Sequence, residues 1–120
     1  MAKKDELGRH GEDVAAEWLE AQGMRVVGRN WRCREGEIDV IALDGDEAVV
    51  IEVKTRSGTG YGHALESVTA TKLARLRRLA GAWRHEHPGV GRGLRIDVVA
   101  ITIERCQGHE RIEHVRGADA

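Results

Sequence analysis

The first segment of the chain, residues 5–22, places its apolar side chains about one helical turn apart on a polar background. Apolar residues at this spacing give a helix one buried face, and glycine readily ends a helix. The apolar positions are Leu7, Val14, Ala15, Trp18 and Leu19, and Gly23 follows them. The pattern predicts a first amphipathic helix over residues 5–22.

Three runs rich in β-branched residues come next, at residues 24–31, 37–43 and 48–55. Such runs favour strands. The last two runs are separated by Asp44-Gly45-Asp46-Glu47, whose composition is typical of a turn. We therefore predict three strands, the second and third of which form a hairpin.

The second half of the chain repeats the change from helical to strand periodicity. Residues 64–85 carry an apolar stripe before Pro88 and Gly89, and residues 94–103 and 111–115 resemble a buried and a more exposed strand. The stripe consists of Leu65, Val68, Leu76, Leu79 and Trp83. A second helix and two further strands are predicted.

The complete order is therefore αβββαββ, which predicts an α/β fold with a mixed sheet between helices. A chain of 120 residues can bury one core, and no linker, repeat or low-complexity segment divides it. We expect a single domain over residues 1–120, with residues 1–4 and 116–120 frayed.

Composition narrows the class of protein. Hydrophobic residues make up 41% of the chain and charged residues 32%, with a net charge of −1, as in globular proteins. Cations cluster at residues 25–34 and 72–78, so a basic face can coexist with a neutral total. Two distant cysteines and no long apolar run predict a cytoplasmic protein that binds no membrane.

The hairpin predicts a charged patch on the sheet. A four-residue loop pairs Leu43 with Ala48 and, further along, Asp39 with Glu52. Like charges across a ladder are destabilising, and they can be relieved by a proton, by Lys54 or by a shared divalent cation. The ordinary alternative is a solvated edge hairpin with a surface Glu52–Lys54 pair. The apolar neighbours in residues 49–53 favour a central strand instead.

Several segments together resemble a known family. They are Gly8-Arg9-His10-Gly11-Glu12, Arg29-Asn30-Trp31-Arg32, Gly36-Glu37-Ile38-Asp39-Val40-Ile41, Glu52-Val53-Lys54-Thr55-Arg56 and Lys72. In this order the chain resembles the YraN family, which is similar to the PD-(D/E)xK nucleases, including archaeal Holliday junction resolvases. Ile38 stands where the superfamily name has proline.

The resemblance implies a restriction-endonuclease-like fold and a Mg²⁺ site in which Mn²⁺ can substitute. Asp39, Glu52 and the backbone carbonyl of Val53 are the implied metal ligands, with Lys54 beside the attacking water. Glu12 is the implied auxiliary carboxylate, and Gly8 and Gly11 would let its helix approach the sheet. An ordinary surface acid is the alternative for Glu12.

Nucleic-acid contacts are predicted around this site. The candidates are Arg29, Arg32, Thr55, Arg56, Tyr61 and Lys72. Trp31 stands within the basic segment, and Tyr61 lies in the glycine-rich residues 57–62, where a substrate-entry loop or plain flexibility both fit. An alternating solvated strand and a snorkelling Lys72 are equally simple explanations.

The remaining candidates carry less chemistry. His85, His87, His109 and His114 lack the spacing of metal ligands and are interpreted as solvated. We hypothesise a metal-dependent DNA endonuclease acting on structured or branched DNA. The resemblance also admits a homodimer. Two alternatives stay open: an accessory nucleic-acid-binding module with the nuclease fold, and a structural protein with a surface hairpin.

Overall fold

The computed structural model describes residues 2–57, 68–104 and 109–119. Helix α1 is Ala2–Ala21 and helix α2 is Ala70–Glu86. The strands are β1 (Arg25–Cys33), β2 (Gly36–Asp44), β3 (Glu47–Ser57), β4 (Arg92–Glu104) and β5 (His109–Val115). The predicted order and α/β class are confirmed.

The five strands form one mixed sheet in the order β1-β2-β3-β4-β5. Only the β3–β4 pair is parallel; the other three pairs are antiparallel. A parallel pair needs a crossover, and α2 provides it, so the N-terminus of α2 lies at the carboxyl end of β3. The predicted hairpin pairs Leu43–Ala48 and Ile41–Val50 are both present.

Each helix covers one face of the sheet with its own core. Ala15 and Leu19 of α1 pack on one face against residues such as Val49 and Ile51. On the other face, the predicted α2 stripe residues Leu76, Leu79 and Trp83 pack with Val50 and Ile96. Most of the sheet is therefore buried on both sides, which explains its long apolar strands.

Helix α2 begins later than the sequence predicts. It starts at Ala70 rather than at residue 64, because the Thr69 side chain accepts a hydrogen bond from the Lys72 N–H at 3.2 Å and caps the helix. Val68 precedes the helix, and Leu65 lies outside the described residues.

Secondary structure extends close to both ends of the described chain. Helix α1 already begins at Ala2. At the other end, residues 116–119 form a turn in which the Gly117 N–H donates to Asp97 and the Ala118 N–H donates to the Ile96 carbonyl. In the described parts of the chain, no helix is both long and apolar enough to cross a membrane.

Strand alternation fails at one point in β2. Ile38 packs in the α2 core, whereas Val40, two residues later, packs in the α1 core. Regular alternation would place these two residues on the same face. On neighbouring β1, Asn30 lies between the residues that pair with Ile38 and Val40 and has a left-handed φ of 54°. The distortion lies beside the candidate site.

Candidate metal centre

The site lies where β2 and β3 stop pairing. Their ladder ends at Val40–Ile51, so the predicted Asp39–Glu52 pair lies one step beyond it and is not a ladder pair. There the Val53 N–H donates instead to Asp39 Oδ2 at 2.8 Å. The Asp39 side chain thus takes the place of a backbone acceptor, and its position is fixed by the strand divergence.

Three carboxylates meet at this point. Glu12, Glu37 and Asp39 each place an oxygen within 4.8 Å of the others, and all three side chains are partly buried. Glu12 comes from α1, whereas Glu37 and Asp39 come from alternate positions of β2. We call this group the acidic cluster. It includes two of the four predicted catalytic residues and one residue, Glu37, that was not predicted.

Close packing of α1 on β3 brings Glu12 to the sheet. Gly11 is buried against the Thr55 side chain, and a Cβ at Gly11 would overlap that side chain. The predicted role of Gly11 therefore has a physical basis. A Cβ at Gly8 would meet nothing within 4 Å, so the same role does not apply there.

Glu12 is held by β1 as well as by its own helix. Burial raises the pKa of Glu12, while a hydrogen bond from the Asn30 side chain and the charge of Arg29 act in the opposite direction. Arg29 lies 3.8 Å from Glu12 and 2.8 Å from Asp13. Asn30, also missed as a site residue, therefore orients Glu12 from the distorted position of β1.

Glu52 and Lys54 form the other side of the site. The Lys54 ammonium lies 3.1 Å from Glu52 Oε2, and the Glu52 side chain is only 14% exposed. Alternation along β3 places both side chains towards α2, opposite Val53, which packs with the α1 core. Lys54 therefore neutralises Glu52, and among the residues that the structure describes no Lys or Arg forms an ion pair with Asp39.

The electrostatics of Asp39 reflect that imbalance. Burial first, and then the charge of Glu52, raise the pKa of Asp39 to about 7, although the Val53 N–H works against the shift. The charge of Glu12 raises it further. Near neutral pH, Asp39 is thus an acid whose ionised form the surrounding residues disfavour, and a cation would relieve this repulsion.

The oxygen spacing fits a small divalent cation. Mg²⁺ takes oxygen ligands at about 2.0–2.1 Å, so opposed oxygens of its octahedral shell lie about 4.2 Å apart. Three oxygens cannot all be opposed, so at least two pairs in the acidic cluster, whose oxygens lie within 4.8 Å of one another, would close to about 3 Å around the ion. All candidate ligands are hard oxygen donors, as Mg²⁺ and Mn²⁺ prefer.

The predicted nucleic-acid contacts lie in different settings. Arg32 is 79% exposed and donates to Glu37 at 2.7 Å, whereas Thr55 is packed beneath Gly11. Arg56 is half-buried near the end of β3, and Lys72 is half-buried in the first turn of α2, close to that end. Tyr61 lies outside the described residues. The two predicted arginines of β1, Arg29 and Arg32, already contact the acidic cluster or its neighbour Asp13.

A second polar cluster, which sequence reasoning missed, lies under the C-terminal half of α1. Asp97 has no exposed surface and accepts two hydrogen bonds from Arg95, at 2.9 and 3.1 Å. His114 Nε2 lies 2.8 Å from Asp97, and Trp18 donates to His114 Nδ1 at 3.2 Å. Nδ1 is thus an acceptor and Nε2 the donor. The prediction that His114 is solvated is wrong, since its side chain is 7% exposed.

Two of these omissions carried a signal in the sequence. Glu37 stands two residues before Asp39, the spacing that places two strand residues on one face. Asp97 interrupts an otherwise apolar strand, and a buried charge requires partners. Asn30 carried only a weak signal, the tolerance of asparagine for left-handed backbone.

Comparison with known proteins places the site in a wider context. The model of the uncharacterised protein family UPF0102 matches residues 11–101, which include Glu12, Asp39, Glu52 and Lys54. A UPF0102 protein of Arthrobacter sp. (strain FB24) is 56% identical over 117 residues, covering 98% of each chain. Similar proteins of Beutenbergia cavernae and Frankia casuarinae are 55% and 52% identical, each aligned over 98% of this chain and 98% and 99% of their own lengths.

Proposed function

This chain belongs to the uncharacterised protein family UPF0102, whose match confirms the YraN resemblance, and we propose that it is a metal-dependent nuclease that hydrolyses phosphodiester bonds in DNA. One observation carries the proposal. Asp39 is held in place by the Val53 N–H, yet burial and, after it, the neighbouring carboxylates raise its pKa to about 7. Such an arrangement costs stability unless a cation binds there.

The roles follow from the contacts. Asp39, Glu12 and Glu37 offer the converging oxygens of the acidic cluster, and Glu52 lies beside Asp39. We also propose the backbone carbonyl of Val53 as a ligand of the metal ion. Mg²⁺, when bound there, supplies charge stabilisation for the phosphate and lowers the pKa of coordinated water.

Lys54 has a separate task. The Lys54 side chain is 26% exposed and its ammonium lies 3.1 Å from Glu52, so the ammonium keeps donors for a water or a phosphate oxygen. In the proposed reaction it orients the attacking water and stabilises charge that develops on the phosphate. Glu52 thus positions Lys54 and, beside Asp39, would be a further ligand of the cation.

DNA is the proposed substrate because two arginines of β1 contact the acidic cluster and further cations lie near the carboxyl end of β3. The two arginines are Arg29 and Arg32, and the further cations are Arg56 and Lys72. These side chains would bind phosphates and leave the base sequence unread. The branched or structured DNA suggested by the resolvase resemblance belongs to the same proposal.

Cleavage assays with matched variants test the function. Duplex, single-stranded, flap and four-way-junction DNA are incubated with the protein and Mg²⁺ or Mn²⁺. Asp39→Asn and Glu52→Gln should each lower the rate by on the order of 10²-fold or more. The control is Glu17→Gln, an exposed acid of α1 outside the cluster, which should cut like the wild type.

The opposite results are equally informative. If none of these DNAs is cut by folded wild-type protein, nuclease activity is refuted. Retained DNA binding that does not respond to Mg²⁺ would then support the accessory-module alternative. Cutting that survives in Asp39→Asn would exclude the acidic cluster as its source.

A further inference from the structure

A cavity outside the acidic cluster lies between the edge strand β1 and the C-terminal end of α2. It has a volume of about 380 Å³ and is lined chiefly by aromatic and apolar side chains, with two arginines. This volume falls within the roughly 300–1,000 Å³ of small-molecule sites. The principal lining residues are Trp31, Trp83, His87, Ile41, Arg29 and Arg32. We call it the β1 pocket.

Aromatic rings form the wall of the β1 pocket. The His87 ring stacks on Trp83 with centroids 4.9 Å apart, and Trp31 meets His87 edge-on at 6.4 Å. Trp83 is only 3% exposed and belongs to the core, so Trp31 and His87 present the accessible aromatic surface. Within the described parts of the chain, no residue accepts a hydrogen bond from the Trp31 indole N–H.

The pocket is built by the fold without a ligand. Arg84 donates to the carbonyls of His87 and Val90, at 3.0 and 2.6 Å, and to the carbonyl of Gly93 at 2.6 Å. These bonds fix the segment that follows α2, which carries His87 and Val90 into the wall. A preformed pocket loses little entropy when a planar ring enters.

The β1 pocket shares residues of the edge strand β1 with the surroundings of the acidic cluster. Arg29 and Asn30 contact Glu12, and Arg32 donates to Glu37 at 2.7 Å, while all three also line the pocket. Residues 29–32 span only about 10 Å of strand. Because Trp31 and Trp83 belong to the α2 face whereas Glu12 comes from α1 on the other face, the strand would cross the edge strand β1 with its base in the pocket and its phosphates at the arginines.

We propose that the β1 pocket binds one unpaired nucleobase of DNA, which selects substrates that have a single-stranded or extruded nucleotide beside the scissile phosphate. This inference rests on the proposed nuclease function and names its substrate class. Aromatic rings stack on any base, the free indole N–H can donate to a base acceptor, and the arginines complement phosphate. A base within a duplex cannot enter, because both of its faces and its pairing edge are occupied.

Binding measured in EDTA tests the pocket apart from cleavage. Fluorescence anisotropy compares a short single-stranded oligonucleotide with one of equal length and charge whose sugars lack bases. Wild-type protein should prefer the base-bearing strand by on the order of 10-fold. Trp31→Leu should remove most of that preference and leave affinity for the abasic strand unchanged. Trp31→Phe should retain it, and Arg78→Ala, an exposed cation of α2, is the control.

A 2-aminopurine base provides the second readout, since its fluorescence is quenched on stacking. Quenching in wild type and in Trp31→Phe, but not in Trp31→Leu or His87→Ala, is the expected result. Equal wild-type affinity for base-bearing and abasic strands would overturn the inference, as would a Trp31→Leu variant that weakens both alike. A base preference without any Mg²⁺-dependent cutting would refute only the nuclease function.

Discussion

Two aspartates, Asp39 and Asp97, are both removed from water, yet their environments act in opposite directions. Burial raises the pKa of each. At Asp97, hydrogen bonds from Arg95, His114 and the Gly117 N–H outweigh burial and hold the pKa below its usual range. At Asp39, neighbouring carboxylates add to burial and raise the pKa to about 7. Burial alone therefore does not distinguish a functional acid from a structural one. The distinguishing feature is whether cationic or hydrogen-bonding partners compensate the buried carboxylate.

The largest loss of stability is expected on replacing Asp97, the aspartate of the two that has its own partners. Asp97→Ala removes the shared partner of Arg95 and His114, which are 18% and 7% exposed. Breaking a buried pair typically costs about 3–5 kcal/mol. Urea unfolding should show a loss of that order. Asp119→Ala, which removes a partner 3.9 Å from the exposed Arg77, should change stability by less than about 1 kcal/mol. Similar losses in both variants would contradict the assignment of Asp97 as a structural centre.

A divalent cation should stabilise the protein only through the acidic cluster. At 100 times its dissociation constant, a ligand that binds only the folded state adds about 2.7 kcal/mol to the free energy of unfolding. Mg²⁺ or Mn²⁺ should produce this gain at pH 8 in wild type and not in Asp39→Asn. Because protons compete for Asp39, whose pKa is about 7, the metal affinity should fall as the pH drops below 7. A pH-independent affinity would break the link between that pKa and metal binding.

Removing the charge of Asp39 should stabilise the metal-free protein. Its folded pKa of about 7 lies above the unfolded value near 3.9, so its contribution to stability is most favourable below about pH 4. That contribution is lost as the pH rises to 7 and stays lost above it. In EDTA at pH 8, Asp39→Asn should gain about 1–3 kcal/mol by urea unfolding, since the amide oxygen can still accept from Val53.

The gain in Asp39→Asn should disappear near pH 4, where wild-type Asp39 is already protonated. Glu17→Gln, on the exposed side of α1, serves as the matched control and should show little change at either pH. Destabilisation of Asp39→Asn at pH 8 would mean that Asp39 is satisfied in the same way as Asp97.

The smallest stability effect is expected at Asn30. Asn30→Gly keeps the left-handed backbone and removes the side chain that hydrogen-bonds Glu12. Unfolding should change by less than about 1 kcal/mol, while Mg²⁺ affinity measured by calorimetry should fall by on the order of 10-fold. An unchanged affinity would show that Asn30 shapes β1 without positioning Glu12.

Local patterns accounted for much of the architecture. The apolar stripe at Leu76, Leu79 and Trp83 predicted the buried face of α2, and the four-residue turn fixed the pairs Leu43–Ala48 and Ile41–Val50. The local patterns did not predict that α2 starts at Ala70. They extended the apolar stripe upstream, whereas the Thr69 cap sets the first residue of the helix. Nor could strand alternation foresee the irregularity between Ile38 and Val40, which depends on the neighbouring strand.

The sequence by itself determined the order of helices and strands and brought Asp39, Glu52 and Lys54 into one region, because these follow from periodicity and turn length. Only the tertiary structure decided which charges meet. In the folded protein, Asp39 accepts from the Val53 N–H instead of pairing in the ladder, and Glu12 and Glu37 lie beside Asp39. Lys54 pairs with Glu52, and Asp97 is enclosed between Arg95 and His114. Partner choice depends on distances across separate elements and on desolvation, and neither is encoded in the spacing of residues along one strand.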